Sequence, residues 1–172
     1  MSKKIFELKI DNYKDFPKKG IIFRDIFPLL REPDVFHELV QQMSSYKVLR
    51  ESEGLLAIDA RGFIWGSAIA FNLKKPLVVA RKPGKLPGDL ISKSYDLEYG
   101  TNSLSIQKKA LKGLKNIHIV DDLLATGGTV KCVSDLLKGE GIKISGLSVV
   151  VELIDLNGGS KFDFPIDSQI KF

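Results

Sequence analysis

The stretch with the clearest chemical potential is residues 117–129, IHIVDDLLATGGT. Within it, the adjacent acids Asp121 and Asp122 follow an apolar run, and two glycines flanked by threonines precede a segment of helical spacing. Glycine has no Cβ, so successive N–H groups in such a turn can point inward beside the positive end of the helix dipole. The pattern therefore predicts a phosphate-binding loop. Its predicted contact residues are Ala125, Thr126, Gly127, Gly128 and Thr129.

The two acids must contact a different part of the ligand, because adjacent carboxylates would repel a bare phosphate. A sugar with neighbouring hydroxyls meets this need, since each carboxylate can accept charge-assisted hydrogen bonds worth about 1.5 to 3 kcal/mol. Asp121 and Asp122 are therefore predicted to bind the ribose of a ribose 5-phosphate. The alternative is a helix N-terminus with incidental acids. On the first interpretation, Gly127→Val should destroy substrate binding by filling the space where phosphate meets the backbone, at little cost to the fold if the native dihedral angle permits valine.

The motif lacks two common nucleotide-binding spacings. It has neither the Gly-x-x-x-x-Gly-Lys-Ser/Thr pattern of nucleoside triphosphatases nor the Gly-x-Gly-x-x-Gly pattern of dinucleotide-binding proteins. Taken from the residues alone, the prediction is a ribose phosphate site.

A second apolar run, at residues 54–58, ends in Asp59-Ala60-Arg61-Gly62 before a segment of helical character, so the order of elements repeats. An arginine at the carboxyl end of a parallel strand suits bidentate contact with a diphosphate. Further along, residues 81–88 carry three cations among prolines and glycines that prevent a helix. We interpret this segment as a basic, mobile loop. Its cations are Arg81, Lys82 and Lys85.

The elements that must position these loops alternate between strand and helix. Short apolar runs predict buried strands, and apolar residues at three-and-four spacing predict helices. This order predicts an α/β fold, a mostly parallel twisted sheet with helices on both faces and ligands at the carboxyl ends of the strands. Strands are predicted at 54–58, 76–80, 117–120 and 144–151, helices at 5–13, 63–72, 130–138 and from Pro33, and a hairpin at 94–100 that returns through 104–106.

Length and composition limit the remaining choices. The 172 residues fit one domain, and the net charge of +5 comes from scattered lysines rather than a basic block, so nucleic-acid binding is not indicated. No secretory signal and no apolar run of membrane-spanning length is present. Cys132 is the only cysteine, which excludes an internal disulfide and a multi-cysteine metal site. We expect a cytoplasmic protein, with His37 on the surface and His118 in a structural role.

Residues 120–129 resemble the phosphoribosyl diphosphate signature of the type I phosphoribosyltransferases, most closely the version found in adenine phosphoribosyltransferases. Three other segments match in the family's order: residues 15–26, 57–63 and 151–153. The resemblance implies one domain over 1–172, with a hood formed by about 1–30 and the C-terminal segment, and a lid over about 82–106. It also implies a likeness of 57–63 to the family's diphosphate loop, where a non-proline cis peptide is common. Nothing is carried over to the tail from Lys161 to Phe172.

The implied reaction joins adenine to phosphoribosyl diphosphate, giving AMP and diphosphate in purine salvage. The resemblance implies Glu98, in the lid, as the candidate for proton transfer. It implies a magnesium ion held mainly by the substrate and water, without a dedicated protein cage, and a homodimer. The implied diphosphate contacts are Asp59, Ala60, Arg61, Arg81, Lys82 and Lys85, and the implied adenine contacts are Ile22, Phe23, Arg24 and Leu153.

Two alternatives remain open from the sequence. The first is a phosphoribosyltransferase for another purine base, which the central motif does not exclude, although the segments around Phe23 and Glu98 favour adenine. The second is a non-catalytic regulator that senses phosphoribosyl diphosphate. Such a regulator would need a DNA-binding segment or a continuous basic face, and the sequence has neither.

Overall fold

The centre of the molecule is a parallel β-sheet of five strands. The computed structural model describes residues 3–97 and 100–172, and within it the sheet order is β4-β3-β7-β8-β9, every neighbouring pair being parallel. The predicted α/β class and mostly parallel sheet are therefore confirmed. These strands are β3 (Gly54–Ile58), β4 (Leu77–Ala80), β7 (Asn116–Leu124), β8 (Lys143–Glu152) and β9 (Ile166–Lys171).

Two antiparallel pairs lie outside the central sheet. One joins β1 (Asp11–Lys14) to β2 (Ile22–Asp25), and the other joins β5 (Leu90–Leu97) to β6 (Gly100–Gln107). The helices are α1 (Lys3–Glu7), α2 (Pro28–Arg31), α3 (Pro33–Ser44), α4 (Lys47–Glu51), α5 (Gly62–Leu73) and α6 (Gly128–Gly139), with short 3₁₀ turns at Lys108–Leu111, Ile154–Leu156 and Gly158–Lys161.

Each face of the sheet has its own hydrophobic core. On one face, α6 packs Val133 and Leu137 against the sheet together with Ile106 of the β5–β6 hairpin. On the other face, α3 and α5 contribute Leu39 and Trp65. Alternate residues of a strand point to opposite faces, so a strand covered on both sides must be apolar throughout. This explains why β3, GLLAI, is buried at every position.

Helix α5 lies unusually close to the sheet. A Cβ built on Gly66 would come within 2.5 Å of the Cβ of Ala57, and one on Gly62 would come within 2.6 Å of Oδ1 of Asp121. Only glycine allows this approach at both positions. The first turn of α5 is therefore held against the end of β7, which places Arg61 beside the acidic pair.

Several predicted elements differ from the structure. The helix predicted at 5–13 is wrong beyond Glu7, because Asp11–Lys14 pairs with Ile22–Asp25 and this tertiary pairing outweighs local helical propensity. The tail contains a central-sheet strand, Ile166–Lys171, that the sequence analysis did not predict. Asp121 and Asp122 lie within β7 rather than after it.

The remaining expectations concern whole regions and single residues. His37 is exposed, as predicted, and His118 is buried between the hydroxyls of Ser145 and Ser148, in agreement with a structural role. The hood and lid assignments within a single domain stay predictions; of the lid segment, Leu104 and Ile106 are buried in the core. Over the described ranges, no helix is both long enough and apolar enough to cross a membrane.

Candidate active site

A cavity of about 320 Å³ opens at the carboxyl ends of β3 and β7. Its walls come from the two loops that the sequence analysis singled out, at 59–61 and 121–129, brought together because β3 and β7 are neighbours in the sheet. The lining residues are Asp59, Ala60, Arg61, Asp121, Asp122, Leu123, Leu124, Ala125, Thr126, Gly127, Gly128, Thr129 and Val130.

The predicted phosphate loop, 125–129, connects β7 to α6. Gly127 precedes the helix with a φ of +80°, in the left-handed region that favours glycine, and its carbonyl accepts a hydrogen bond from Lys131 N at 2.9 Å. Gly128 and Thr129 then form the first helical turn, where N–H groups lack partners within the helix. The loop is thus built as the sequence predicts, at a helix N-terminus facing the cavity.

The expectation for Gly127→Val is wrong in its mechanism. A Cβ at Gly127 would lie 2.9 Å from the carbonyl oxygen of Gly158 and 3.2 Å from the Phe162 ring, neither of which lines the cavity. The positive φ would strain the variant as well. Valine would therefore distort the loop from behind rather than fill the space for the phosphate.

The acidic pair is buried at the floor of the cavity, with Asp121 7% and Asp122 6% exposed. Burial, followed by the charge of Asp122, raises the pKa of Asp121 well above its usual value. Burial also raises the pKa of Asp122, against the opposing charge of Arg61, whose Nε lies 2.8 Å from Oδ2 of Asp122. That oxygen accepts no well-aligned hydrogen bond from any residue the structure describes. The pair thus has unmet capacity for hydroxyl donors or a cation.

The second loop carries a cis peptide between Asp59 and Ala60, as the family resemblance implies. Asp59 also connects it to the basic loop, since Oδ2 of Asp59 lies 3.1 Å from Arg81 Nε and 3.5 Å from Lys82 N. Arg81 is fixed further by backbone hydrogen bonds with Ser105 at 2.8 and 2.9 Å. The side chains of Lys82 and Lys85 are exposed and stand outside the cavity lining.

None of the residues predicted to bind adenine lines the cavity, but two of them contact residues that do. Phe23 lies below Arg61, with 5.7 Å between the guanidinium carbon and the ring centre, and Phe16 packs edge-on against it. Leu153 is tied to β7 through its N–H, which donates to Leu124 O at 2.9 Å. Ile22 is 44% exposed. The structure therefore places Phe23 and Leu153 next to cavity-lining residues, and the base contacts of all four predicted residues stay a prediction.

Arg24 has two partners that the sequence analysis did not identify. Its guanidinium carbon lies 4.0 Å from the ring centre of Phe172, and its Nη1 donates to Asn12 Oδ1 at 2.5 Å. The backbone of Phe172 forms hydrogen bonds on both sides of Leu153: Phe172 N donates to Glu152 O, and Ile154 N donates to Phe172 O. No sequence signal marks Phe172, because the contact depends on the tail forming β9.

Glu98, the predicted proton-transfer residue, lies outside the described residues. The preceding strand, β5, packs on α6: Lys93 Nζ pairs with Asp135 at 2.8 Å, and Thr129 Oγ1 donates to Tyr95 Oη at 3.5 Å. The β5–β6 hairpin is thus attached to the helix that begins at the phosphate loop. Tyr95 is a second residue whose contact with the site was missed.

The combined geometry suits a sugar phosphate that carries a second anionic group. A helix N-terminus with two glycines accepts a phosphate, the buried acids accept sugar hydroxyls, and Arg61 with the neighbouring Arg81 can neutralise a second anionic group. Among the described residues, no group of three or more His, Cys, Asp or Glu side chains is arranged to hold a metal ion.

Comparison with known proteins identifies relatives of this chain. Residues 36–163 match the family model of the phosphoribosyl transferase domain. A protein of Prochlorococcus marinus subsp. pastoris named adenine phosphoribosyltransferase is 59% identical over 162 residues, covering 94% of this chain and 95% of that protein.

Solved structures are also closely similar. The crystal structure of adenine phosphoribosyltransferase from Thermoanaerobacter pseudethanolicus has a TM-score of 0.93 at 40% identity, covering 99% of this chain and 100% of that one. The enzyme of that name from Saccharomyces cerevisiae, complexed with adenine and an imino-altritol bisphosphate, has a TM-score of 0.91 at 32% identity, covering 97% of each chain.

Proposed function

The chain belongs to the adenine phosphoribosyltransferases of the phosphoribosyl transferase family, and on that premise we propose that it transfers the phosphoribosyl group of phosphoribosyl diphosphate to adenine. The products are AMP and diphosphate, and the role is purine salvage. The observation that carries the proposal is the single cavity in which the glycine loop, the buried acid pair and Arg61 meet.

The phosphoribosyl group is held at its two ends. The loop from Ala125 to Thr129 binds the 5-phosphate with backbone N–H groups and threonine hydroxyls, while Asp121 and Asp122 accept hydrogen bonds from the ribose hydroxyls. As the bond to diphosphate breaks, positive charge develops on the ribose, and the acids place negative charge beside it. Fixing both ends also aligns the reacting carbon with the incoming base.

Cationic side chains stabilise the departing diphosphate. Arg61 uses Nε in its pair with Asp122, so its Nη groups supply the remaining donors to the diphosphate. Arg81, held next to the same loop by Asp59, adds a second guanidinium. Lys82 and Lys85, exposed on the adjoining loop, contribute further positive charge, and Asp59 and Ala60 shape the loop that receives the group.

A magnesium ion fits this site. The observation that favours it is the buried Asp122 carboxylate, whose Oδ2 lacks a well-aligned hydrogen bond within the described part of the chain and whose pKa burial raises, because a nearby cation relieves both conditions. We propose that Mg²⁺ is held mainly by the substrate and water, as this ion prefers, with Asp121 and Asp122 nearby. When bound, it supplies charge neutralisation to the leaving diphosphate.

The base lies between the β2 side and the β8 side of the site. Phe23 offers a ring to stack on adenine, Ile22 and Leu153 supply apolar contact, and Arg24 with neighbouring backbone groups faces the base edge. Glu98 takes or gives the proton on the imidazole part of the base. By family resemblance we also propose a homodimer, and from the composition of the chain we propose a cytoplasmic location.

The proposal is tested by assaying purified protein with phosphoribosyl diphosphate, Mg²⁺ and each purine base in turn. We expect AMP formation with adenine and a far lower kcat/KM with hypoxanthine, guanine and xanthine. A preference for one of those bases would support the first alternative. Phosphoribosyl diphosphate binding without turnover, together with salt-dependent retention on DNA, would support the regulator.

Glu98→Gln tests the proton-transfer role. The amide keeps the size and one acceptor but carries no ionisable proton, so kcat should fall by about 10²- to 10⁴-fold with the adenine KM nearly unchanged. Single-turnover kinetics separate chemistry from product release. If Glu98 only holds the lid closed, Glu98→Gln should be much milder than Glu98→Ala, and kcat and KM should change together.

A further inference from the structure

Gly158 lies directly behind the phosphate loop. It is buried, and a Cβ built on it would overlap the carbonyl oxygen of Ala125 and come within 2.9 Å of both Gly127 N and the carbonyl carbon of Thr126. All three of these atoms belong to the backbone, so they cannot move aside as the end of a flexible side chain could. The backbone of Gly158 therefore packs against the backbone of the loop with no side chain between them.

Backbone conformation does not explain why glycine occupies this position. Gly158 does not have a positive φ. It begins the 3₁₀ turn Gly158–Lys161, a conformation that other residues adopt. The remaining reason for glycine is the close approach itself. The contact is also reciprocal, because a Cβ on Gly127 would lie 2.9 Å from the carbonyl oxygen of Gly158.

The segment around Gly158 has firm support of its own. Phe162 lies against the same side of Gly127 and stacks on Phe164, with 5.0 Å between ring centres, and Phe164 is buried in the core on the α6 face. Neither Gly158 nor Phe162 lines the cavity. The phosphate loop therefore has the cavity on one side and this packed segment on the other.

We propose that Gly158 is a positioning residue for the 5-phosphate: its backbone supports the loop at Ala125–Gly127 and so fixes the direction of the N–H groups that bind the phosphate. The inference rests on the proposed function, since it assumes that this loop receives the 5-phosphate. The segment after β8 thereby gains a role in phosphate binding. From the sequence, the only role predicted for this segment is the contact of Leu153 with the base.

The test is Gly158→Ala, with Gly159→Ala as the matched control. A Cβ at Gly159 would meet only ends of flexible side chains, Glu152 Oε1 and Ile166 Cδ1 at 3.2 Å, with Leu124 Cδ2 more distant at 3.9 Å.

Ribose 5-phosphate binding is measured by calorimetry, and KM for each substrate by steady-state kinetics. Displacement of a binding group by about 1 Å can cost up to about 10²-fold, so Gly158→Ala should weaken ribose 5-phosphate binding and raise the phosphoribosyl diphosphate KM by about tenfold or more. The adenine KM should stay close to wild type.

The outcomes separate this inference from the function it rests on. Wild-type affinity for ribose 5-phosphate in folded Gly158→Ala overturns the positioning role, as does an equal loss in Gly159→Ala. If Gly158→Ala does not fold, Phe162→Leu loosens the same support without a clash, and it should raise the same KM; no change would overturn the role. A wild-type protein that binds ribose 5-phosphate but forms no AMP would contradict the proposed function while leaving the role of Gly158 testable by binding alone.

Discussion

Asp121 and Asp122 occupy positions where the protein's stability and its activity make opposite demands. Both carboxylates are buried, and burial raises the pKa of each, which means that the folded state disfavours the charged form. One cation, Arg61, lies against Asp122, and the Asp122 N–H donates to Asp121 Oδ1 at 2.9 Å. On the proposed function, the ribose hydroxyls would supply the donors that these carboxylates lack.

Asp121→Asn should therefore lower activity without lowering stability. The amide oxygen can still accept the hydrogen bond from Asp122 N, while the buried negative charge is removed. At pH 7.5 we expect the free energy of unfolding to be unchanged or higher by about 1 to 2 kcal/mol, and kcat/KM to fall by about 10²-fold or more. Urea denaturation and steady-state kinetics measure the two effects. Asp155→Asn, at an exposed acid, is the control and should change neither; a clear loss of stability in Asp121→Asn would contradict the argument.

His118 should make stability depend on pH. Burial lowers its pKa from 6.5 to about 3, so between these values the unfolded chain binds more protons than the folded one, and the free energy of unfolding falls as the pH falls. From pH 7.5 to pH 5 the loss from this residue should be about 2 kcal/mol. We expect the loss to shrink by about this amount in His118→Gln and to persist in His37→Gln, whose histidine is exposed. An equal pH dependence in all three proteins would show that His118 does not titrate in this way.

At the scale of strands and loops, the sequence predicted what local order determines. The loops at 59–61 and 121–129 were found because each follows a short apolar strand, and parallel strands bring their carboxyl ends to one edge. Tertiary pairing explains the failures: Asp11–Lys14 extends only because Ile22–Asp25 lies beside it, and β9 extends only against β8. The contacts of Phe172 and Tyr95 follow from such pairing, and that of Gly158 follows from the packing of a 3₁₀ turn behind the phosphate loop. No local sequence pattern predicts any of the three.

Phe172, the residue after β9, is predicted to hold the base-binding residue Arg24 in place. Phe172 lies under the guanidinium of Arg24, and such cation–π contacts are worth about 0.5 to 2 kcal/mol. Phe172→Ala should therefore raise the adenine KM by about 2- to 30-fold, with little change in the phosphoribosyl diphosphate KM. Phe71→Ala, at a phenylalanine that is 88% exposed on α5, is the matched control. Equal changes in the two KM values would indicate a general loosening of the fold instead.

For the molecule as a whole, the site joins parts of the chain that are distant in sequence and lie on different layers. The phosphate loop leads into α6 on one face of the sheet, while Arg61 leads into α5 on the other. The β1–β2 pair carries residues predicted to contact the base, and Phe172, which follows β9, contacts one of them. A ligand that contacts all of these parts binds only the folded state, so its binding free energy adds to the free energy of unfolding.

The size of this stabilisation should report which parts of the site a ligand contacts. At 100 times its Kd a ligand stabilises the fold by about 2.7 kcal/mol, which for a domain of this length is about 5 to 10 °C in Tm. AMP carries the base and ribose 5-phosphate does not, so at equal concentration AMP should give the larger rise, by about 3 to 6 °C for each tenfold difference in affinity.

Differential scanning fluorimetry at fixed protein concentration can then separate the two halves of the site. In Phe172→Ala the extra rise given by AMP should shrink while the rise given by ribose 5-phosphate is kept, because Arg24 loses its support and the phosphate loop does not. In Gly158→Ala both rises should shrink, because both ligands carry the 5-phosphate. If AMP and ribose 5-phosphate raised the wild-type Tm equally, the residues around Phe23, Arg24 and Leu153 would not contact the base, and adenine would have to be recognised elsewhere along the cavity.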